Sequence, residues 1–231
     1  VQRRQMTTST EANVHAIAVE GTFDDCQNML KAMFNDHATR DRLQLAGVNS
    51  INWARLMAQI VYYFTSAVAL GAPGRRVSFT VPTGNFGDIF AGYAAQRMGL
   101  PIDKLVIATN VNDILVRTFE TGDYRPLTTT ATASPSMDIQ ISSNFERLLF
   151  EIGGRQATRV VEHMETLAKT GTYRLDQDER AALADLFQAG RTDEAETLAT
   201  IRSLKAATVT AEDGMGGPVD PHEKRNFDAT D

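Results

Sequence analysis

Thr83-Gly84-Asn85-Phe86-Gly87-Asp88 brings two glycines, an amide side chain and a carboxylate together in one short turn. Such a segment suits anion binding. Glycines at 84 and 87 let the backbone come close to a ligand, and the N–H groups of a following helical turn point at it. A phosphate fits that description, and so does a plain tight connection, because glycine turns between a strand and a helix are common.

Two elements must position this turn. Val77-Ser78-Phe79-Thr80-Val81 reads as a buried strand broken at Pro82, and from about Phe86 a helix runs to Met98 and stops at Gly99, with Pro101 beyond. Leu105–Ala108 is the next short apolar strand, followed by Thr109-Asn110-Val111-Asn112-Asp113 and a helix through Glu120 that Gly122 ends. Alternation of strand and helix predicts parallel βα units and an α/β fold. Ligands in such sheets bind beyond the carboxyl ends of the strands, which predicts that 83–88 and 109–113 share one rim.

Upstream, Val14–Val19 reads as a short buried strand, and Thr22 as the cap of a helix whose Phe23, Cys26, Leu30, Met33 and Phe34 share an apolar face. That spacing makes Cys26 a core residue. Residues 35–47 are polar; Asn49 or Ser50 then caps a long helix over 51–70, apolar on most sides and predicted to be buried, with Trp53, Tyr62 and Tyr63 as packing residues. Residues 123–142 form a long Thr-, Ser- and Pro-containing loop, functional or mobile at that length. The remainder is predicted to be helical, over 143–152, 156–169, about 181–187 and 194–204, with His163 solvated. A tail after residue 206 carries no periodicity.

Composition narrows the possibilities. At 231 residues the chain can bury a sizeable core, and 29 acidic against 23 basic residues leave a formal charge of −6. Arg3-Arg4 and Arg75-Arg76 are isolated pairs, which argues against a nucleic-acid binder. The most apolar run, Leu56–Ala72, is interrupted by Gln59, Thr65 and Ser66 and suits a core helix better than a membrane span. A single cysteine precludes an intrachain disulfide and suits a reducing, cytoplasmic setting. The chain opens on Val1 rather than Met, so it is expected to begin inside a longer protein.

Several stretches together resemble a known family. Asn13-Val14-His15-Ala16 with Val19–Gln27, Asn49–Arg55, Val81–Asp88 followed by Ala91-Gly92-Tyr93, and Ser134–Ile139 with Ser143-Asn144-Phe145-Glu146-Arg147 are similar, in that order, to threonine synthases of bacteria and fungi. The likeness runs from residue 1 to about 205. It implies a pyridoxal 5'-phosphate enzyme of fold type II that turns O-phospho-L-homoserine and water into L-threonine and phosphate. It also implies that Gly84, Asn85, Phe86 and Asp88 bind the cofactor, with Asp88 acting through water or the loop geometry. Asn112 and Asp113 match a further family motif, or simply cap a helix. On this reading residues 1–206 are part of a catalytic domain, with a helical subregion over 143–206, and 207–231 are an irregular tail.

Two departures from the family stand out. Its Schiff-base lysine precedes an aspartate, and none of Lys31, Lys104, Lys169, Lys205 or Lys224 does; its Ser-Gly-Asp-Thr-Gly loop for the substrate carboxylate is also missing. Both are expected upstream of residue 1, so the chain is read as a C-terminal portion, inactive alone. The alternative is a non-catalytic remnant that binds a phosphorylated metabolite or a partner chain. In the tail, Asp220-Pro221-His222 matches a family segment but Glu223 follows where the family has threonine; either Glu223 faces the cofactor ring or the match is chance.

Overall fold

The computed structural model describes residues 7–21, 23–49 and 51–210, and the chain divides into two units, Val1–Gly47 and Val48–Asp231. Thr22, Ser50 and the tail with Glu223 lie outside the described residues, so those three expectations have no structural counterpart here.

In the first unit, α1 (Phe23–Asn35) is followed by α2 (His37–Leu43). The sequence reading has no element at α2. It forms because Asp36 accepts from the Thr39 N–H at 3.2 Å and the Thr39 hydroxyl at 2.7 Å, and Gln44 closes it in the left-handed region at φ 51°. The strand expected over 14–19 does not form: Ile17 is 84% exposed and the run pairs with no strand among the described residues. An apolar run without a partner leaves its backbone groups to water rather than to a ladder. Cys26 is exposed rather than in a core; the side of α1 it occupies is not covered within this unit, while Leu30 and Phe34 are half-buried.

The second unit runs α3 (Trp53–Ala69), β1 (Val77–Pro82), α4 (Gly87–Arg97), β2 (Ile102–Thr109), α5 (Ile114–Thr121), β3 (Asp123–Tyr124), a 3-10 turn (Pro135–Met137), α6 (Phe145–Ile152), α7 (Ala157–Thr170), β4 (Tyr173–Arg174), α8 (Gln177–Leu186), β5 (Phe187–Arg191) and α9 (Glu194–Thr210). Strands β1, β2 and β5 form a parallel sheet in the order β1-β2-β5, and β3 pairs with β4 in antiparallel fashion. The predicted α/β architecture with parallel strands is therefore present; two of the three expected strands form, and β3, β4 and β5 are additional. β5 falls at the end of one expected helix and in the gap before the next, where the sequence reading has no strand. Gln188-Ala189-Gly190 has no apolar alternation, and only Phe187 of the strand is fully buried; pairing with the open edge of β2, from Leu105↔Phe187 to Thr109↔Arg191, makes it a strand.

β2 is the centre of the core, with Ile102, Leu105 and Ile107 essentially inaccessible. Helices α3 and α4 pack on each other, and Gly92 permits it: a Cβ there would meet Tyr63 at 2.6 Å and Leu105 at 2.9 Å. Contrary to its predicted burial, α3 buries only Leu56, Tyr63 and Ala67; Met57, Val61 and Val68 are more than half exposed. Its start is capped by Asn52, which accepts from the Ala54 N–H at 2.9 Å, while Asn49 holds the preceding turn through the Ile51 N–H. Trp53 packs edge-on against Phe90 with the Arg147 guanidinium over its ring.

His163 is not solvated. Its Nε2 lies 3.0 Å from Oε1 of Glu179, a carboxylate that is 1% exposed and also forms the capping box of α8 with Asp176, and its ring packs on Tyr173. That contact bridges α7 and α8, sixteen residues apart in sequence, beyond the reach of local periodicity.

Candidate functional site

The rim at the carboxyl ends of β1 and β2 is assembled as the sequence predicts. The Thr83 N–H donates to the Ala108 carbonyl at 2.8 Å, which sets the 83–88 turn beside Thr109 and Asn110. At this rim the chain passes from strand to helix through Phe86, whose φ of 67° is uncommon for a residue other than glycine. Its ring is 1% exposed, with its centroid 5.3 Å from Phe145 and 5.9 Å from Phe187. Phe86 thus anchors the turn from below. Asn85 shapes it from within: Oδ1 accepts the Gly87 N–H at 3.0 Å.

Residues 134–142, expected to be part of a long loop, lie against the turn. Gly84 is covered by the 3-10 turn so closely that a Cβ would stand 3.1 Å from Ile139 Cδ1 and 3.2 Å from the Ser136 carbonyl oxygen. Here glycine admits protein backbone. The Ser142 hydroxyl donates to the Gly84 carbonyl at 2.9 Å, and Asn144 donates to the Asn85 carbonyl through its backbone N–H at 3.0 Å and its amide at 3.1 Å. Ser142 and Asn144 are buried and tie down the carbonyls of Gly84 and Asn85. Neither stands out by residue type; the signal for this region is the family resemblance of Ser134–Ile139 and Ser143–Arg147.

The 123–142 segment is ordered by Asp138. Its Oδ1 accepts from Asn110 Nδ2 at 2.8 Å, Asn112 Nδ2 at 3.0 Å and the Thr132 hydroxyl at 2.7 Å, and Oδ2 accepts from the Thr132 N–H at 2.9 Å. Asn112 also exchanges bonds with Thr130, donating to its carbonyl and accepting its N–H, both at 2.8 Å. Asn112 therefore pins this loop and caps nothing. Asp113 stands at the cap position of α5 without a capping bond; its carboxylate is held by Arg117 at 2.8 Å and Arg191 at 2.6 Å.

The Asp113 carboxyl sits below its ordinary value of 3.8: burial pushes it up, and the bonds and charges of the two arginines more than offset that. A lowered folded value contributes stability above the unfolded value and loses it as pH falls through the folded one. Asp113→Asn is expected to flatten the acid limb: in urea unfolding, wild-type stability falls more steeply below about pH 4 than that of the variant. Parallel slopes would refute the pairing.

Helix geometry leaves the N–H groups of the first turn of α4 directed at the space over the turn. Two polar atoms at this rim are enclosed without a protein partner, Asp88 Oδ1 and Thr109 Oγ1. Asp88 is the second residue of α4, half-buried, and burial pushes its carboxyl up against the lowering effect of Tyr63. Gly84, Asn85, Phe86 and Asp88 thus come together in one turn, with distinct parts: Gly84 and Phe86 shape it, Asn85 ties it, and Asp88 supplies its one titratable group. A helix start offers N–H donors of the kind that suit an anion, and Asp88 is the one carboxylate within residues 83–88.

No protein-family model matches the chain. Threonine synthase of Pseudomonas aeruginosa is 48% identical over 96% of this chain and 46% of its own length. The Saccharomyces cerevisiae threonine synthase is 41% identical over the whole of this chain and 47% of its own. Among solved structures, the PLP-bound threonine synthase from Brucella melitensis superposes with a TM-score of 0.81 at 60% identity, covering 89% of this chain and 44% of that one. The chain therefore spans a little under half the length of these relatives. With its motifs, its parallel sheet and its similarity to these proteins in agreement, the chain belongs to the threonine synthase family.

Proposed function

We propose that the turn 83–88 is the phosphate cradle for pyridoxal 5'-phosphate in a threonine synthase that converts O-phospho-L-homoserine and water into L-threonine and phosphate. The observation that carries this reading is the start of α4, reached through the left-handed Phe86 and locked by Asn85 and Asn144, in a chain similar to a PLP-bound relative. The first-turn N–H groups of α4 beyond Gly87, whose own N–H is taken by Asn85, hold the phosphate, Gly84 keeps the turn pressed under 134–139, and the enclosed Thr109 hydroxyl is available as a donor. When bound, the cofactor supplies an electron sink for carbanion chemistry. The buried amides Asn110 and Asn112, fixed on Asp138, hold the neighbouring wall of the site. Residues 1–206 then act as one part of a catalytic domain, in the cytoplasm, where the biosynthetic substrates are.

Lys104 reaches the Asp185 carbonyl and Lys169 pairs with Glu165 in the last turn of α7, so neither serves as a reactive lysine at this rim. That favours a second reading of the 231 residues taken alone, binding of a phosphorylated metabolite without catalysis. Fluorescence titration separates the cases. Pyridoxal 5'-phosphate is expected to bind at least about tenfold more tightly than unphosphorylated pyridoxal, a difference of about 1.4 kcal/mol. Equal affinities sink the cradle, and tighter binding of O-phospho-L-homoserine than of pyridoxal 5'-phosphate selects the second reading.

A further inference from the structure

An aspartate in the first turn of a helix ordinarily ionises and gains from the helix dipole. Asp88 is placed differently. Its Oδ1 is enclosed without a hydrogen-bond partner, and the residue lines a cavity of about 150 Å³ between α3 and β1, with Tyr62, Tyr63, Ser66 and Thr80 among its walls. The titratable groups facing it are Tyr62 and Tyr63 of α3; β1 contributes the uncharged Thr80, and no Lys, Arg or His lines that cavity. Tyr63 is fixed above it. Its ring sits over Gly92, and its hydroxyl donates to the Asp88 carbonyl at 3.0 Å.

The other carboxylate of this rim, Asp113, has two arginines to neutralise it. Asp88 has no arginine or lysine against it in the cavity it lines, and an ionised carboxylate with an enclosed, unpaired oxygen is expensive. Burial raises its carboxyl, the Tyr63 hydrogen bond opposing, and it is chiefly burial that keeps the Tyr63 phenol protonated.

We propose that the Asp88 carboxyl, enclosed under Tyr63 at the start of α4, controls phosphate binding there: with the carboxyl neutral this helix start accepts a phosphate, and with it ionised the helix start repels one. The proposal rests on the reading of 83–88 as a phosphate cradle. Its sign follows directly: the acid is neutral below its folded midpoint, so phosphate affinity is lost as pH rises through it, and bound phosphate moves that midpoint higher still. Tyr63 is a positioning residue, acting through Asp88.

The test has two arms. In carbon-13 NMR of the 231-residue chain, the carboxyl signal missing from Asp88→Asn is expected to titrate above 3.8, and Tyr63→Phe is expected to move that midpoint further up. In fluorescence titration, the affinity of Asp88→Asn for pyridoxal 5'-phosphate relative to wild type is expected to grow with pH. It reaches about tenfold for each unit by which phosphate shifts the Asp88 midpoint, and the ratio cancels titration of the ligand itself. If Asp88→Asn does not fold, Tyr63→Phe reports instead, its loss of affinity displaced to higher pH. A midpoint at or below 3.8, or a ratio flat with pH, overturns the proposal. A raised midpoint in a chain that binds pyridoxal 5'-phosphate at no pH overturns the cradle instead.

Discussion

Phe86→Ala is expected to cost about 3–5 kcal/mol of stability, the range for removing a fully buried aromatic ring. The ring is 1% exposed between Phe145 and Phe187, so truncation opens a hole beneath the turn it anchors. Phe86→Gly opens the same hole and removes the left-handed strain at φ 67°. Strain relief is about 1–2 kcal/mol, and the freer unfolded chain takes back about 0.4–1, so glycine ends slightly the more stable of the two. Urea unfolding of both variants with linear extrapolation checks the order. An alanine variant as stable as the glycine one would mean that the left-handed turn stores no strain.

Asp138→Ala is expected to cost about 3 kcal/mol and to loosen the 130–142 segment. One carboxylate accepts from four donors there, and charge-assisted bonds contribute about 1.5–3 kcal/mol, with a further penalty for each buried amide left unpaired. Asn110 and Asn112 are 4% and 3% exposed, so water does not readily replace the lost partner. Asp138→Asn recovers part of the loss, because an amide nitrogen cannot accept from the Thr132 N–H. Hydrogen exchange over 130–142 and urea unfolding measure the two effects. Since the same segment presses on Gly84, affinity for pyridoxal 5'-phosphate is expected to fall with it. Unchanged exchange in the alanine variant would show that Asp138 does not order the loop.

Much of the fold was legible locally. β1, α4, β2 and α5 were each bounded by signals within a few residues: Pro82 and Gly84 after an apolar run, Gly99 after α4, and Gly122 in the left-handed region after α5. The failures share a cause. The 14–19 run looks like a strand but has no partner, and β5 looks like nothing but has one at the edge of β2. A strand is defined by its neighbour, and periodicity carries no information about neighbours. The burial of α3 was misjudged for the same reason: an apolar helix does not reveal how many of its faces are covered.

The turn at 83–88 follows the same division. Its glycines, the helix after it and its place on a shared rim came from the order of residues, because φ freedom and helix starts are set within a few bonds. Tertiary structure alone decided that Gly84 admits Ser136 and Ile139, that Phe86 is an anchor, and that Asp113 is neutralised by Arg191 while Asp88 is enclosed under Tyr63. These properties depend on burial and on partners from 25 residues away (Tyr63 to Asp88) to 101 (Phe86 to Phe187), and the charge state of a carboxyl is set by what surrounds it in space.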